Sequence, residues 1–117
     1  MINQSIPLIR HFIALVSTKK TNDSLSFIKE LALTIINELK LKVIKEDYYQ
    51  FKPTGITYCL ILSQSHLIIH TYPENQLIHI DLVACEKIDK KNFKKAVEKF
   101  FCYYDSLSVK IKEVKYF

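Results

Sequence analysis

Within the eleven residues Gln64-Ser65-His66-Leu67-Ile68-Ile69-His70-Thr71-Tyr72-Pro73-Glu74 the chain places a serine, two histidines and a glutamate around a short apolar run. Hydroxyl, imidazole and carboxylate are the groups that nucleophilic attack and proton transfer use, and no other segment gathers them so densely. Leu67 to Tyr72 is β-branched and aromatic and is stopped by Pro73, which predicts a strand.

That strand limits which of these groups can meet. Side chains alternate faces along a strand, and each residue advances roughly 3.3 Å. His66, Ile68 and His70 then share one face. They cannot form a chelate, because the two histidines lie about 13 Å apart. Ser65 and His70 differ by an odd number of positions and by about 16 Å. Cooperation between them requires Ser65 to sit in a turn before the strand, or a break in the chain there.

Scaffold elements follow from periodicity. Residues 1–7 read as a tail, and Leu8 to Ser17 as a first strand whose apolar composition predicts burial on both faces. A polar turn, Thr18 to Asn22, leads to Asp23 or Ser24 as N-cap of a helix whose Leu25, Ile28, Leu31, Ala32, Ile35 and Leu39 form one stripe. Leu41 and Val43 open a second strand reaching about Gln50, and Phe51-Lys52-Pro53-Thr54-Gly55 breaks it. Ile56 to Leu62 is a third strand, Ser63 to His66 a hairpin-sized connection containing Ser65, and Leu77 to Ala84 a further hairpin partner ending at Cys85. Asp89 caps a second helix with Phe93, Ala96, Val97, Phe100 and Tyr104 on one stripe, and Ser108 to Lys115 is the last strand. Few amphipathic helices among many strands predict an α+β two-layer sandwich, with a mostly antiparallel sheet and both helices on one face.

Composition excludes several functions. The 117 residues are enough for one domain and too few for two. Gly55 is the single glycine, so the Gly-rich phosphate loop and the dinucleotide fingerprint are absent. The net charge of +5 comes from lysines interleaved with Glu86, Asp89, Glu98 and Glu113, which reads as a solvated surface rather than a nucleic-acid stripe, with nucleic-acid binding the weaker alternative. Cys59, Cys85 and Cys102 are odd in number and widely spaced, which suggests neither disulfides nor a metal site and fits a reducing cytoplasm. The apolar run Phe12 to Val16 is too short for a signal-peptide core, and no run is long enough to span a membrane.

The motif Ser65-His66-Leu67-x-Ile69-His70-Thr71-aromatic-Pro73-Glu74, followed by Ile80-Asp81-Leu82-Val83-x-Cys85, resembles the signature of bacterial and archaeal S-adenosylmethionine decarboxylase proenzymes. Arg10-His11, Phe51-x-Pro53-x-Gly55, and Thr57 eight residues before Ser65 extend the resemblance over nearly the whole chain. It implies self-cleavage of the 1–117 domain between 64 and 65. The Ser65 hydroxyl would attack the Gln64 carbonyl to form an ester, and elimination would leave a pyruvoyl group, the cofactor, in place of Ser65. A break there would also let the new terminus reach the face of His70.

A ketone conjugated to an amide is an electron sink through which an amine substrate, bound as a Schiff base, can lose carbon dioxide. By the same resemblance Cys85 returns a proton to the substrate carbon, and His70 and Thr57 assist processing. Phe51 stacks on adenine, Glu74 reads the ribose hydroxyls, and Tyr72, where many relatives have tryptophan, lines the pocket. The resemblance implies spermidine biosynthesis, a small-molecule substrate and a homodimer. It leaves two alternatives: the same chemistry on arginine or ornithine, or an unprocessed regulatory homologue.

Taken singly, each residue has a plainer reading: Ser65 as a turn former, Cys85 as a small hydrophobe, Phe51 as a core aromatic, Glu74 as a solvated turn acid. His66 and His79 read as structural. The sequence departs from the family pattern at Gln64, where glutamate is usual, and at Glu86, where glycine is usual. Gln64 still supplies the backbone carbonyl that is attacked.

Overall fold

The computed structural model describes residues 8–20, 24–104 and 106–116. Its elements are β1 (Arg10–Thr18), α1 (Leu25–Leu39), β2 (Val43–Gln50), β3 (Ile56–Leu62), β4 (Ser65–Tyr72), one 3-10 turn (Pro73–Asn75), β5 (Leu77–Ala84), α2 (Lys90–Phe101) and β6 (Ser106–Val114). All strands join one antiparallel sheet in the order β2-β3-β4-β5-β1-β6. Three successive hairpins build one side of it, and β1 inserts between β5 and β6. This is the two-layer α+β sandwich that the periodicity predicts.

Both helices begin where side chains satisfy free N–H groups. The Ser24 hydroxyl accepts from the Phe27 N–H at 3.3 Å, and Asp89 and Asn92 cap each other's backbone reciprocally. The apolar stripes of both helices cover one face of the sheet. Directly paired residues supply the floor: Phe12 opposite Leu82, Ala14 opposite Ile80, Ile69 opposite Ile80, and Leu60 opposite Leu67, all buried. Phe93 stacks on Phe12 with ring centres 5.5 Å apart, which ties α2 to β1. Each aliphatic side chain so buried contributes about 1.5–3 kcal/mol.

Among the described residues the opposite face carries no helix. Across it the register draws three rows of side chains. One runs Tyr49, Thr57, His70, His79, Leu15, Lys110; the next Asp47, Cys59, Ile68, Asp81, Ile13, Lys112; the third Ile61, His66, Val83, His11, Val114. Apart from exposed Ile61, the β3, β4, β5 and β1 members of these rows are half-buried by their neighbours alone. β2 lies beyond the helix layer and is exposed along its whole length. Tyr58 anchors it by donating to Glu46, whose carboxylate also meets Lys29 of α1 at 3.5 Å.

Three expectations need correction. β1 is buried only through Phe12, Ala14, Val16 and Thr18, because no layer among the described residues covers its other face. α2 ends at Phe101, so Tyr104 falls beyond it and instead stacks on Phe100 with ring centres 4.7 Å apart. β4 starts at Ser65, two residues before the predicted start, because Ser65 pairs with Leu62 and the hairpin link is only Ser63-Gln64. The expected tail, residues 1–7, and Asp23 lie outside the described residues. Among the described residues no helix is long and apolar enough to cross a membrane.

Ile69 is fully buried at the centre of β4 and should be the most sensitive point of this layer. Ile69→Ala is expected to lower stability by about 2–5 kcal/mol, read as a reduced urea midpoint with an unchanged slope.

Candidate active site

Two clusters form, at opposite ends of β4. The first surrounds the Gln64–Ser65 bond. Gln64 adopts a left-handed conformation, φ 52°, that closes the tight link between β3 and β4. Its carbonyl oxygen accepts from the Cys85 thiol at 2.9 Å. The Ser65 hydroxyl accepts from the Cys85 backbone N–H at 3.0 Å and donates to the Ser63 carbonyl at 3.0 Å. Cys85 can make both contacts because it directly follows β5, the neighbour of β4. Ser65, Gln64 and Cys85 are therefore brought together.

The second cluster lies at the far end of the hairpins. Phe51, Thr54, Gly55, Thr57, His70, Thr71, Tyr72, Pro73 and Glu74 line a cavity of about 370 Å³. A tight turn shapes its rim, with the Phe51 N–H donating to the Gly55 carbonyl at 2.7 Å. Gly55 has φ +106°, which other residues rarely adopt, so this is where the lone glycine is required. The turn leaves Phe51 48% exposed with its ring edge-on to Tyr49, while Tyr72 is 46% exposed on the other side. Glu74 accepts from the Thr54 hydroxyl at 2.9 Å.

At the base of this cavity Thr57 and His70, directly paired across β3 and β4, share a hydrogen bond of 2.9 Å between Oγ1 and Nδ1. Burial pushes the His70 pKa down, the neighbouring His79 pushes the same way, and Asp81 opposes them. His70 is therefore a neutral imidazole at neutral pH, able to accept a proton. Asp81 is engaged elsewhere, at 2.8 Å from His11 Nε2, whose Nδ1 meets the Tyr116 hydroxyl at 2.7 Å.

Sequence spacing missed Thr54, which orients Glu74, and His79, which stands beside His70. Placing His79 needed the register of the β4–β5 hairpin, where Tyr72 pairs with Leu77 and so His70 with His79. A cavity of similar size, about 350 Å³, lies on the outer helix surface around Leu33, Phe100 and Tyr103. It contains none of these groups, so size alone does not mark the site.

The two clusters do not meet within one chain. β4 is unbroken from Ser65 to Tyr72, with neighbours paired on both sides, so Ser65 and His70 are about 16 Å apart. Ser65 also shares its parity with the helix-facing Leu67 and Ile69, and His70 lies on the bare face. Ser65 lies in no turn, and a cut before it would leave residue 66 held in the same ladder.

A family model described as S-adenosylmethionine decarboxylase matches residues 13–115. The chain belongs to this family. Relatives include S-adenosylmethionine decarboxylase proenzymes of Symbiobacterium thermophilum, 41% identical over 70 residues, and of Archaeoglobus fulgidus, 32% identical over 75 residues. Those alignments cover 60% and 62% of this chain and 52% and 67% of the relatives. The chain thus spans about half the length of the first of them. The crystal structure of the adenosylmethionine decarboxylase from Aquifex aeolicus superposes with a TM-score of 0.75 at 25% identity, covering 94% of this chain and 91% of that one. The family fold is therefore the one described above.

The environment of His70 yields a direct measurement. In a Ser65→Ala variant, the His70 imidazole is expected to titrate with a midpoint below the ordinary histidine value of 6.5 when followed by NMR.

Proposed function

We propose that this chain cleaves itself between Gln64 and Ser65, converts Ser65 to a pyruvoyl group and decarboxylates S-adenosylmethionine for polyamine synthesis. One observation carries the reading: the Cys85 thiol donates to the Gln64 carbonyl while the Cys85 N–H holds the adjacent Ser65 hydroxyl. Attack by that hydroxyl would place negative charge on the very oxygen that the thiol faces, and a donor already in position stabilises it. Ser65 Oγ must first give up its contact with the Ser63 carbonyl, and its proton needs a base.

A pyruvoyl group, once formed, supplies a ketone conjugated to an amide, an electron sink for an amino acid losing its carboxylate. The residues present fit such a group, since the Cys85 N–H is a donor that a carbonyl oxygen can use as the hydroxyl oxygen does. Cys85 Sγ, beside residue 65, then carries the proton for the substrate carbon. Phe51 offers an exposed ring for an adenine face, Glu74 a carboxylate for ribose hydroxyls, and Tyr72 a further wall. These groups favour S-adenosylmethionine over a smaller amino acid such as arginine or ornithine.

The separation of the clusters gives the assembly its reason. We infer a homodimer in which Ser65, Gln64 and Cys85 of one protomer face Thr57, His70, Phe51 and Glu74 of the other. The bare face of the sheet supports this, because Ile13, Leu15, Ile68 and Val83 lie on it half-buried with no covering layer among the described residues. The neutral imidazole of the partner's His70 would then take the Ser65 proton.

An intact-mass spectrum of fresh protein should show two fragments broken between Gln64 and Ser65, the second lacking a free amine and reacting with hydrazine. A chain that stays whole on incubation would overturn the decarboxylase reading in favour of a binding homologue. Cys85→Ala should slow cleavage by roughly 10²-fold and abolish decarboxylation. Co-expressed Ser65→Ala and His70→Ala chains test the shared site. Only the His70→Ala chain should be cut, since it alone has Ser65 and can borrow His70 from its partner. If neither is cut although wild type is, the sites are not shared.

A further inference from the structure

The row Thr57–His70–His79 contains one group that the proposed mechanism does not use. His79 pairs directly with His70 across β4 and β5, and their ring centres are 6.0 Å apart with planes inclined by 34°. On its other side it faces Leu15 of β1. Its Nδ1 is hidden from water and has no hydrogen-bond partner among the described residues. An orphaned buried ring nitrogen is uncommon and calls for a reason.

We propose that His79 is a positioning residue for self-cleavage, keeping the adjacent imidazole of His70 free of its second proton so that it can serve as base. This rests on the reading of His70 given above. At this separation on a half-buried face, a positive charge on the neighbouring ring disfavours a second proton on His70. His79 thereby extends the range of pH over which His70 remains neutral. The lowered His70 pKa, to which the charge of His79 contributes after burial, agrees with this.

Other groups facing His70 do not duplicate the effect. From β2 and β3 come Asp47, Tyr49 and Cys59; from its own strand His66 and Tyr72; from β5 Asp81; from β1 His11; and from β6 Lys110 and Lys112. Glu74 borders the same cavity. The carboxylates draw a proton onto His70. Lys110 and Lys112 lie beyond β5 and β1, and His66 is about 13 Å along the strand. His79 is the titratable group paired directly with His70.

The sign of the effect follows. Removing His79 takes away an influence that lowers the His70 pKa, so the neutral base is lost at a higher pH. The His70 imidazole is followed by NMR in Ser65→Ala protein, which needs no cleavage to be read, alone and combined with His79→Gln, His79→Leu or His79→Lys. Gln and Leu should move the midpoint up toward 6.5, while Lys, which restores a positive charge, should hold it down. In chains retaining Ser65 the acid limb of the cleavage-rate profile should move in parallel, with the rate on the alkaline plateau unchanged. An unmoved His70 midpoint in folded Gln and Leu variants would overturn the proposal. A shifted midpoint without any cleavage in wild type would instead retain the coupling and reject the decarboxylase reading.

Discussion

A strand hydrogen-bonded on both sides cannot turn its side chains over or bring its ends together, and β4 is such a strand. Its ladder with β3 runs from Ser65 to His70, and its ladder with β5 from His66 to Tyr72. The sheet acts as a ruler with a cluster of polar groups at each mark. At one end the last residue of a tight link meets the residue after β5. At the other, a glycine turn and a 3-10 turn enclose a cavity. Between them the helix-facing side chains are needed for the core, and only the bare face is free to carry polar groups.

That division explains where the polar residues fall. The helix-facing side is almost wholly apolar, with Thr18 and Thr71 as its buried polar members. Thr71 is tolerated there because its hydroxyl accepts from the Ile56 N–H at 2.8 Å, at the foot of the turn that presents Phe51. The histidines and Asp81 all lie on the opposite side, where His70 stands beside His79 and His11 meets Asp81 across strands. A row of titratable groups on a half-buried surface has its pKa values set by neighbours as much as by solvent.

Much of this was legible in the residues. The bounds of β3 and β5 follow from β-branched runs between clear breakers, and both helices from their stripes and caps. The start of β4 was not legible, because Ser63, Gln64 and Ser65 are all acceptable turn residues and only pairing with Leu62 decides which of them are turn. The bare face of β1 was hidden for a related reason. An apolar run reads as buried on both sides, whether its second face is covered by its own chain or left uncovered. The motif carried the identity of Ser65, His70 and Cys85. It carried nothing about their separation, which depends on strand continuity, or about His79, which depends on hairpin register.

The order of the strands has a consequence for a chain cut before Ser65. The N-terminal piece would own β1, β2 and β3, and the other β4, β5 and β6, yet in the sheet these stand as β2-β3, β4-β5, β1, β6. Three of the five ladders would then join one piece to the other, and α1 would still pack on α2. The nicked molecule would be interleaved, with β1 of one piece clasped between β5 and β6 and the β4-β5 pair of the other clasped between β3 and β1, so loss of the covalent link would not let the pieces drift apart. Recovery from denaturation would change character. A one-chain folding reaction would become an encounter between two polypeptides, slower with every dilution, so the mature protein would be durable while folded and poorly renewable once unfolded.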